Sequence, residues 1–516
     1  MGMPMPPPGP LPQGHGTRLG YKETAVKPWE IEEVRRAVKG KWLTRGSRRF
    51  NGRVATDSRK AGEGDLFVAI AGKTHDAHAY VRDVIEKKVA AVIVHAEPST
   101  EVLAAAQGGD VAIIQVDDTV AGLNRLAAAY REGGGSGGGG GGGMRARVIA
   151  VGGSNGKTTT KRIIQALLVE KYGESAVHAS PKSFNNNIGM PLTLLEVEQS
   201  HDFVVLEIGT NAPGEIAALG EVCRPDVAVI TNVGLEHLEK LGDLEGVARE
   251  EASIAPFVVE GGTLVLPADA PELLQSVKST QAQRILVGKK DANVVGELQA
   301  DLMVTDVVES MSGTTFSING RGTFHLPLLG EHNAVNALMA VAVARRLGMT
   351  DEQIAAGLLK VAPAEMRLEP MKVGGWSVIN DAYNANPSSM EAALKTFARL
   401  RGDGTGGGGR RVVILGDMLE LGPSSETMHR TIGGIVGAWK FDLFIAIGPQ
   451  MKFAAAVAKV SGVKTVHFMD TAAARAAVPG LLEPSDRILL KGSRGMALET
   501  ILEALRKNSP PAVVSA

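Results

Sequence analysis

A lysine and a run of threonines follow a glycine-rich turn at residues 152–160, GGSNGKTTT. An apolar β-type run at 148–151 precedes the turn, and a helical pattern follows it. Glycines let backbone N–H groups turn inward around a phosphate chain, because no Cβ obstructs the approach. Lys157 supplies a point charge for the outer phosphates, and the Thr158 hydroxyl can hold Mg²⁺. The stretch therefore predicts a phosphate-binding loop (P-loop) of the short Gly-x-x-Gly-Lys-Thr form; an ordinary glycine turn is the alternative.

Two further polar residues follow apolar strand patterns. Glu207 ends the run FVVLE, and His237 comes shortly after the run VAVIT. In open α/β sheets ligands gather at the carboxyl ends of strands, so Glu207 is expected near a Mg²⁺ held by Thr158. His237 could ligate metal or contact phosphate. The alternatives are a solvated strand-end glutamate and a surface histidine.

Asparagines form two further candidate contacts. Asn185, Asn186 and Asn187 stand in a row before an apolar segment, where they could bind a sugar or a diphosphate or simply cap a turn. Asn333 opens a helical pattern, and its amide suits an adenine edge as well as a helix cap.

Two polar clusters follow strand patterns in the last third of the chain. Asp381 could bind ribose hydroxyls, and nearby amides such as Asn384 could orient a substrate. Lys491, Ser493 and Arg494 place two cations and a hydroxyl where a carboxylate could dock.

The length of 516 residues and the 44% of hydrophobic residues predict about three folded domains. Strand and helix patterns alternate, which favours an α/β class with mostly parallel sheets and a β-rich excursion at 283–328. We predict five segments: a disordered leader at 1–25, a small α/β domain at 26–132, a glycine-rich insertion at 133–143, a central P-loop domain with a parallel sheet at 144–363, and a doubly wound, Rossmann-like domain at 364–516.

Charge and composition exclude several classes of protein. The net charge of −1 gives no reason to expect a nucleic-acid or anionic-membrane partner. A single cysteine rules out an internal disulfide. No apolar run approaches the roughly 20 residues that span a bilayer, and the N-terminus lacks the apolar core of a signal peptide. We therefore expect a soluble, cytoplasmic protein.

Eight stretches, in chain order, resemble the Mur ligases: GGSNGKTTTK, NNNIGMPLTLL, LEIGTNAPGEI, ITNVGLEHLEKLG, GEHNAVNAL, INDAYNANPSSM, LGDMLELG and LLKGSRGM. The resemblance covers roughly residues 54–505, and DAYNANP and KGSRGM are its most specific parts. It implies a UDP-sugar domain, an ATPase domain and a C-terminal domain that brings the incoming amino group and closes on the ATPase domain.

The resemblance implies roles for residues in all three domains. The ATP site would comprise Gly153, Ser154, Asn155, Gly156, Lys157, Thr158, Thr159, Asn333, Arg367 and Asp381. The Mg²⁺ sites would comprise Thr158, Glu207 and His237. The UDP-sugar side would comprise Ser58, Arg59, Asn186 and Asn187, and the D-alanyl-D-alanine side Asn384, Ser493 and Arg494.

The implied reaction joins D-alanyl-D-alanine to a UDP-N-acetylmuramoyl-tripeptide in peptidoglycan synthesis. It would use ATP and Mg²⁺, pass through an acyl phosphate and take place in a monomer. Catalysis would rest on positioning and charge neutralisation, with Lys157 and Arg367 foremost. The alternatives are the family member that adds the third peptide residue, an inactive UDP-sugar-binding member, and a P-loop regulator that uses ATP as a switch.

The sequence departs from the family pattern in three places. Gly152 stands where threonine is usual, and the glycine-rich insertion is not a family feature. The third departure is Glu251, which aligns with a lysine that CO₂ usually carbamylates to hold a second Mg²⁺. Glu251 keeps the charge but falls short in reach by up to about 4 Å. We expect it to act through a bridging water or after a helix shift; the alternative is a plain helix-surface glutamate.

Overall fold

A computed structural model describes residues 30–72, 75–133, 144–290, 300–400 and 409–508. Three sheets of five, nine and six strands follow one another along the chain. The predicted leader and residues 134–143 of the glycine-rich insertion lie outside the described residues. Within the described part of the chain, no helix combines the length and apolar character that crossing a membrane requires.

The N-terminal sheet has the strand order β1-β5-β4-β3-β2, and it is parallel except for the β1–β5 pair. Helices cover both faces, which explains why a strand such as AVIV is apolar at every position. Its strands are β1 (Lys41–Thr44), β2 (Val54–Ala55), β3 (Leu66–Val68), β4 (Ala91–Val94) and β5 (Ala112–Gln115). Its helices are α1 (Ile31–Ala37), α2 (Val81–Glu86), α3 (Thr100–Gly108) and α4 (Thr119–Glu132).

The central sheet has the order β14-β13-β12-β11-β10-β9-β6-β8-β7. It is parallel from β7 to β12, and β12, β13 and β14 form an antiparallel edge. Its strands are β6 (Arg147–Gly152), β7 (Val177–Ala179), β8 (Phe203–Glu207), β9 (Val227–Ile230), β10 (Thr263–Pro267), β11 (Gln283–Lys289), β12 (Leu302–Ser310), β13 (Gly313–Ile318) and β14 (Arg321–Leu326). The predicted β-rich excursion is thus a continuation of this sheet, and its residues 291–299 lie outside the described residues.

Eight helices of the described chain accompany the central sheet. One face is covered by α5 and α11, which share an apolar core with β6 and β8, and α7 and α9 pack on the other face. The helices are α5 (Lys157–Tyr172), α6 (Gly189–Leu195), α7 (Glu215–Cys223), α8 (Leu238–Leu241), α9 (Leu244–Ala252), α10 (Pro271–Ser276), α11 (Glu331–Arg346) and α12 (Asp351–Leu358). Cys223 closes α7 inside the core, where burial raises the pKa of its thiol to about 12.

The C-terminal sheet has the order β15-β16-β20-β17-β18-β19 and is parallel apart from the β15–β16 hairpin. Helices pack on both faces, as predicted for a doubly wound domain. The strands are β15 (Glu369–Val373), β16 (Trp376–Asp381), β17 (Arg411–Gly416), β18 (Leu443–Ile447), β19 (Thr465–Phe468) and β20 (Arg487–Lys491). The helices are α13 (Pro387–Arg399), α14 (Ser425–Ala438), α15 (Met451–Val460), α16 (Thr471–Ala477) and α17 (Glu499–Asn508). The predicted fold class, three α/β units around a central P-loop sheet, is confirmed.

One arginine fastens the N-terminal unit to the central unit. Arg131, in the last turn of α4, donates to the carbonyl oxygens of Cys223 and Arg224. Its Nη2 also lies 2.8 Å from Oδ2 of Asp226, which in turn accepts the backbone N–H of Val148 at 2.8 Å. The contact therefore joins α4 to the start of the strand that leads into the P-loop.

Arg131→Ala should lower the thermal stability of the protein by roughly 5 °C, because it removes charge-assisted hydrogen bonds and leaves Asp226 without its cation. Differential scanning fluorimetry would measure the change. Arg82→Ala, which removes an exposed intrahelical pair with Glu86, is the matched control and should shift the midpoint by about 1 °C or less. Equal shifts in the two variants would show that Arg131 does not fasten the units.

Candidate active site

The P-loop joins β6 to α5, as the sequence predicts. Two of its glycines adopt left-handed backbone conformations, with φ of +109° at Gly153 and +84° at Gly156. A β-carbon on Gly156 would lie 2.4 Å from Oδ1 of Asn336, so α11 packs directly against the loop. Glycine is required here for both conformation and space.

The segment after β9 holds the loop in place. Thr231 Oγ donates to the Gly152 carbonyl at 3.0 Å, and the Asn155 N–H donates to Asn232 Oδ1 at 2.7 Å. The Gly234 N–H donates to Ser154 Oγ at 2.9 Å. These bonds fix the loop backbone against the neighbouring strand.

Thr158 and Glu207 meet at the carboxyl edge of the sheet. The Thr158 hydroxyl donates to Glu207 Oε2 at 2.9 Å, and Asn185 Nδ2 donates to Glu207 Oε1 at 3.2 Å. Lys161 Nζ lies 3.1 Å from the same Glu207 Oε2 and donates to the Ser180 carbonyl at 2.8 Å. Burial lowers the pKa of Lys161, while the nearby Glu207 carboxylate opposes that shift. A carboxylate and a hydroxyl are thus held together by a buried cation.

The C-terminal unit contributes Arg367 to this cluster. Arg367 Nη2 donates to the Thr158 hydroxyl at 3.1 Å, and its guanidinium lies 4.2 Å from the ring centre of Tyr383. Asp381 is 2.7 Å from Lys491 Nζ through one oxygen and accepts the Leu368 N–H at 3.1 Å through the other. Asp381 therefore fixes the turn from which Arg367 reaches the P-loop.

A second contact between the units lies at the tip of the P-loop. Asn155 accepts a hydrogen bond from Asn386 Nδ2 at 2.9 Å and donates one to Ser388 Oγ at 3.1 Å. Asn386 is also the N-cap of α13, so its side chain is fixed by the helix end that it caps. The loop is thus contacted by the C-terminal unit at both Thr158 and Asn155.

These elements enclose a cleft of about 590 Å³, which is within the usual range for a small-molecule site. Fourteen of the candidate residues line it: Ser154, Asn155, Gly156, Lys157, Thr159, Asn185, Asn186, Glu207, His237, Asn333, Arg367, Asp381, Asn384 and Lys491.

Other predicted residues lie elsewhere. Arg59 is paired with Asp57 at 2.8 Å on the N-terminal unit, and Ser58 beside it receives a bond from Lys87 through its carbonyl. The Asn187 carbonyl accepts a bond from Asn124 of α4 at 2.7 Å. Among the described residues, neither these nor Ser493 and Arg494 line the cleft.

Ser493 and Arg494 have local partners in the C-terminal unit. The Ser493 hydroxyl accepts the Leu419 N–H at 2.9 Å and donates to the Ala385 carbonyl at 3.2 Å. Arg494 is 3.1 Å from Glu499. Ser493 therefore joins two loops behind the cleft.

Asn333 uses its amide inside the protein. Its Nδ2 donates to the Leu329 carbonyl at 2.7 Å, and its Oδ1 accepts from Asn336 at 2.9 Å. Neighbouring His332 also lines the cleft, and burial lowers the pKa of its imidazole to about 4, so it is neutral near pH 7.

Glu251 lies behind the P-loop. It is almost fully buried, so the alternative of a helix-surface glutamate is wrong. Its Oε2 accepts the Gly153 N–H at 2.7 Å, while its Oε1 has no hydrogen-bond partner among the described residues. It borders a small apolar cavity of about 10 Å³ rather than the cleft. In this arrangement the carboxyl faces the loop backbone, and its metal role, through a bridging water or after a helix shift, stays a prediction.

The two substitutions that depart from the family pattern meet here. A β-carbon on Gly152 would lie 3.0 Å from Glu251 Oε2, so glycine at this position leaves room for the carboxyl. Burial, the largest cause, raises the pKa of Glu251 to about 8. The protonated form is therefore favoured in the folded protein near pH 7.

This raised pKa predicts a pH-dependent stability. The folded state binds more protons than the unfolded state between the ordinary pKa of 4.5 and about 8, so stability falls as the pH rises through that window. Glu251→Gln cannot ionise and should exceed the wild type in thermal midpoint by an amount that grows from pH 5 to pH 8, reaching roughly 5–10 °C.

Thermal unfolding from pH 5 to pH 9 would measure this difference. Glu245→Gln, which alters an exposed residue of the same helix, is the control and should give a pH-independent difference. A Glu251→Gln advantage that does not change with pH would contradict the buried, protonated carboxyl.

Several residues of the site were missed by sequence reasoning; of those named next, all but Lys161 line the cleft. Lys161, Glu236, Tyr383, Asn386 and Ser388 all contact residues that were predicted. Lys161 had a signal, since it is a charge at a helix position that the apolar period turns inward. Glu236, Tyr383 and Asn386 lie in loops, Ser388 lies in the first turn of α13, and the partners of all four are distant in sequence.

The donor set at Thr158 and Glu207 fits Mg²⁺. Among the described residues there is no cluster of three or more His, Cys, Asp or Glu that could hold a metal alone. Mg²⁺ is usually bound by one or two carboxylates with substrate phosphates and waters, and a hydroxyl beside one carboxylate supplies such a site.

Three family models match the chain: "Mur ligase family, catalytic domain" at residues 53–131, "Mur ligase middle domain" at 151–344, and "Mur ligase, glutamate ligase domain" at 366–494. A similar curated protein is the UDP-N-acetylmuramoyl-tripeptide–D-alanyl-D-alanine ligase of Bacillus subtilis, which is 38% identical over 88% of this chain and 92% of its own length. The Escherichia coli enzyme of that name is 32% identical over 88% of this chain and 94% of its own length.

Solved structures are similar across the whole architecture. MurF from Acinetobacter baumannii superimposes with a TM-score of 0.80 at 29% identity, covering 94% of this chain and all of that one. MurF from Thermotoga maritima, solved in complex with ADP, shares the fold with a TM-score of 0.73 at 24% identity, covering 88% of this chain and 97% of that one.

Proposed function

Because this chain belongs to the Mur ligase family, we propose that it is the ATP-dependent ligase that joins D-alanyl-D-alanine to the terminal carboxylate of UDP-N-acetylmuramoyl-tripeptide. This reaction belongs to the cytoplasmic stage of peptidoglycan synthesis. The observation that carries the reaction type is the 3.1 Å hydrogen bond from Arg367 to Thr158, by which a cation of the C-terminal unit reaches the P-loop.

The ATP end of the site rests on the P-loop. We assign the phosphates to the amides of residues 153–159 and to Lys157, because positive charge and inward N–H groups suit a polyphosphate. We assign the adenine end to the region of Asn333, which lines the same cleft. Asp381 contributes indirectly through the Arg367 turn.

Mg²⁺ would be held by Thr158 and Glu207, with His237 nearby in the cleft. When bound, the ion would neutralise charge on the ATP phosphates. Lys161 fixes the Glu207 carboxylate from the buried side, so that its orientation is set by the protein. Glu251 is retained as a candidate for a second ion, which it would reach through a bridging water or after a shift of α9.

The two remaining substrates would lie on either side of the ATP. We assign the UDP-sugar to the N-terminal unit, residues 26–132, with Ser58, Arg59, Asn186 and Asn187 as contacts. We assign D-alanyl-D-alanine to the C-terminal unit, residues 364–516, with Asn384, Ser493 and Arg494 as contacts. The central unit, residues 144–363, would be the ATPase domain between them.

The chemistry proceeds in two steps. The terminal carboxylate of the tripeptide attacks the γ-phosphorus of ATP, the bond to the bridging oxygen breaks, and an acyl phosphate and ADP form. The amine of D-alanyl-D-alanine then attacks the acyl carbon, the carbon–oxygen bond to phosphate breaks, and the amine loses a proton. Lys157 and Arg367 are the cations placed to neutralise charge on the transferred phosphoryl group.

Phosphate release with defined UDP-muramyl peptides tests this function. The tripeptide with D-alanyl-D-alanine should release phosphate and give a pentapeptide product by mass spectrometry. The dipeptide with single diamino acids should not. Turnover with the dipeptide and a diamino acid, but not with the tripeptide and D-alanyl-D-alanine, would identify the enzyme as the ligase for the third residue. No turnover with any peptide would favour an inactive member.

Lys157→Ala should lower kcat by roughly 10²–10³-fold, because it removes a cation that acts on the phosphoryl group. Circular dichroism and the thermal midpoint should stay close to the wild type, since within the described chain the Lys157 ammonium donates only to carbonyls of its own loop, such as that of Ser154. The reference variant is Lys171→Ala, at the far end of the same helix, which should keep its turnover. Near-normal turnover in Lys157→Ala would contradict the phosphate assignment.

Asp381→Ala should raise the apparent KM for ATP by roughly tenfold, because the Leu368 N–H and Lys491 lose the carboxylate that fixes the Arg367 turn. Binding of the UDP-sugar, measured by isothermal titration calorimetry, should change little. Unchanged ATP kinetics would show that Arg367 is held in place without Asp381.

A further inference from the structure

A loop of the C-terminal unit contacts His237 across the cleft. Oε2 of Glu420, in the segment that follows β17, lies 2.8 Å from Nδ1 of His237. Both residues adopt left-handed backbone conformations, with φ of +62° at Glu420 and +50° at His237. Such conformations are unfavourable for side chains with a β-carbon and persist where the surroundings fix them.

The three residues before Glu420 are anchored by hydrogen bonds inside the C-terminal unit. The buried Asp417 carboxylate accepts the N–H groups of Gln450 and Met451 at the start of α15. The Met418 N–H donates to His429 Nε2 at 3.1 Å, and the Leu419 N–H donates to Ser493 Oγ at 2.9 Å. The position of Glu420 is therefore fixed by the core of the C-terminal unit.

The tip of this loop also packs on the central unit. A β-carbon on Gly422, which has φ of +52°, would lie 3.1 Å from Cγ of Glu239 in α8. His237 is the residue immediately before α8, so the loop contacts the helix and the histidine together. The Glu420 contact is thus part of the interface between the two units.

A carboxylate beside Nδ1 favours one tautomer and one orientation of the imidazole ring. A neutral ring that carries its proton at Nδ1, beside the Glu420 carboxylate, keeps a lone pair at Nε2. Histidines that bind metal are commonly oriented by a carboxylate at the other ring nitrogen. Glu236 is the neighbouring carboxylate, but its Oε1 lies 4.0 Å from Lys157 Nζ, so it faces the P-loop cation.

We propose that Glu420 is a positioning residue, which orients the His237 imidazole when the C-terminal unit closes on the central unit. The expected effect of Glu420 on turnover rests on the proposed function. Its effect on the orientation of the imidazole does not, because the Glu420–His237 contact involves only residues of this chain. In this arrangement the C-terminal unit supplies a carboxylate to a cleft histidine of the central unit.

The test uses the full-length protein with a non-hydrolysable ATP analogue and no metal. ¹⁵N-histidine NMR would report the tautomer of His237, assigned by comparison with His237→Ala. Small-angle X-ray scattering would report closure. Glu420→Ala should move His237 away from the Nδ1–H tautomer, while Glu420→Gln should retain it, because the amide oxygen can also accept a hydrogen bond from Nδ1–H. Glu426→Ala, which removes an intrahelical pair on α14, is the control and should change neither readout.

Turnover with Mg²⁺ gives the second readout. Glu420→Ala should lower kcat by roughly 10-fold or more, and Glu420→Gln should recover most of the loss. In a His237→Ala background, Glu420→Ala should lower kcat no further, since both substitutions act through one imidazole.

An unchanged tautomer in Glu420→Ala, or independent and additive losses in the double variant, would overturn the proposal. A wild-type protein that does not ligate but shows the expected change of tautomer would instead overturn the proposed function and leave the positioning role intact.

Discussion

The hydrogen bond between Arg367 and Thr158 joins the C-terminal unit to the P-loop, and the cleft takes its shape from that contact. The guanidinium is held on the other side by the Tyr383 ring, and its turn is held by Asp381 and Lys491. Thr158 is in turn bonded to Glu207, which a buried lysine fixes. The Thr158 hydroxyl therefore contacts a cation of the C-terminal unit and a carboxylate of the central unit. The position of the C-terminal unit thus changes the electrostatic potential at the P-loop.

The local parts of the site could be predicted from the sequence. The P-loop and Glu207 are each fixed by short-range patterns, a strand followed by glycines or a strand ending in an acid, and both lie where such patterns predict. Ser493 and Arg494 were harder to interpret, because the KGSRGM stretch does not reveal that Ser493 would join two loops behind the cleft. Their roles depend on side chains supplied by distant segments, which no local pattern encodes.

Glu251 shows a different limit of prediction from sequence, because its surroundings depend on packing. Alignment gives its place on the helix, but the helix period does not reveal that the facing surface is the back of the P-loop. There the carboxyl is removed from water, a change that costs an ionised group far more than a neutral one. The neighbouring Gly152 leaves room for it. Two departures that look unrelated 99 positions apart in the sequence thus form one contact in the fold, and only the packing shows it.

Cys223 has a consequence for experiments on domain motion. It is the one cysteine of the chain, and its thiol is buried with a pKa of about 12, so almost none of it is the reactive thiolate at neutral pH. A cysteine introduced on the surface would therefore be modified selectively by maleimide reagents without a prior Cys223 substitution. Paired fluorophores or spin labels could then be placed on the central and C-terminal units in an otherwise native background, and the distance between the units followed during a single turnover.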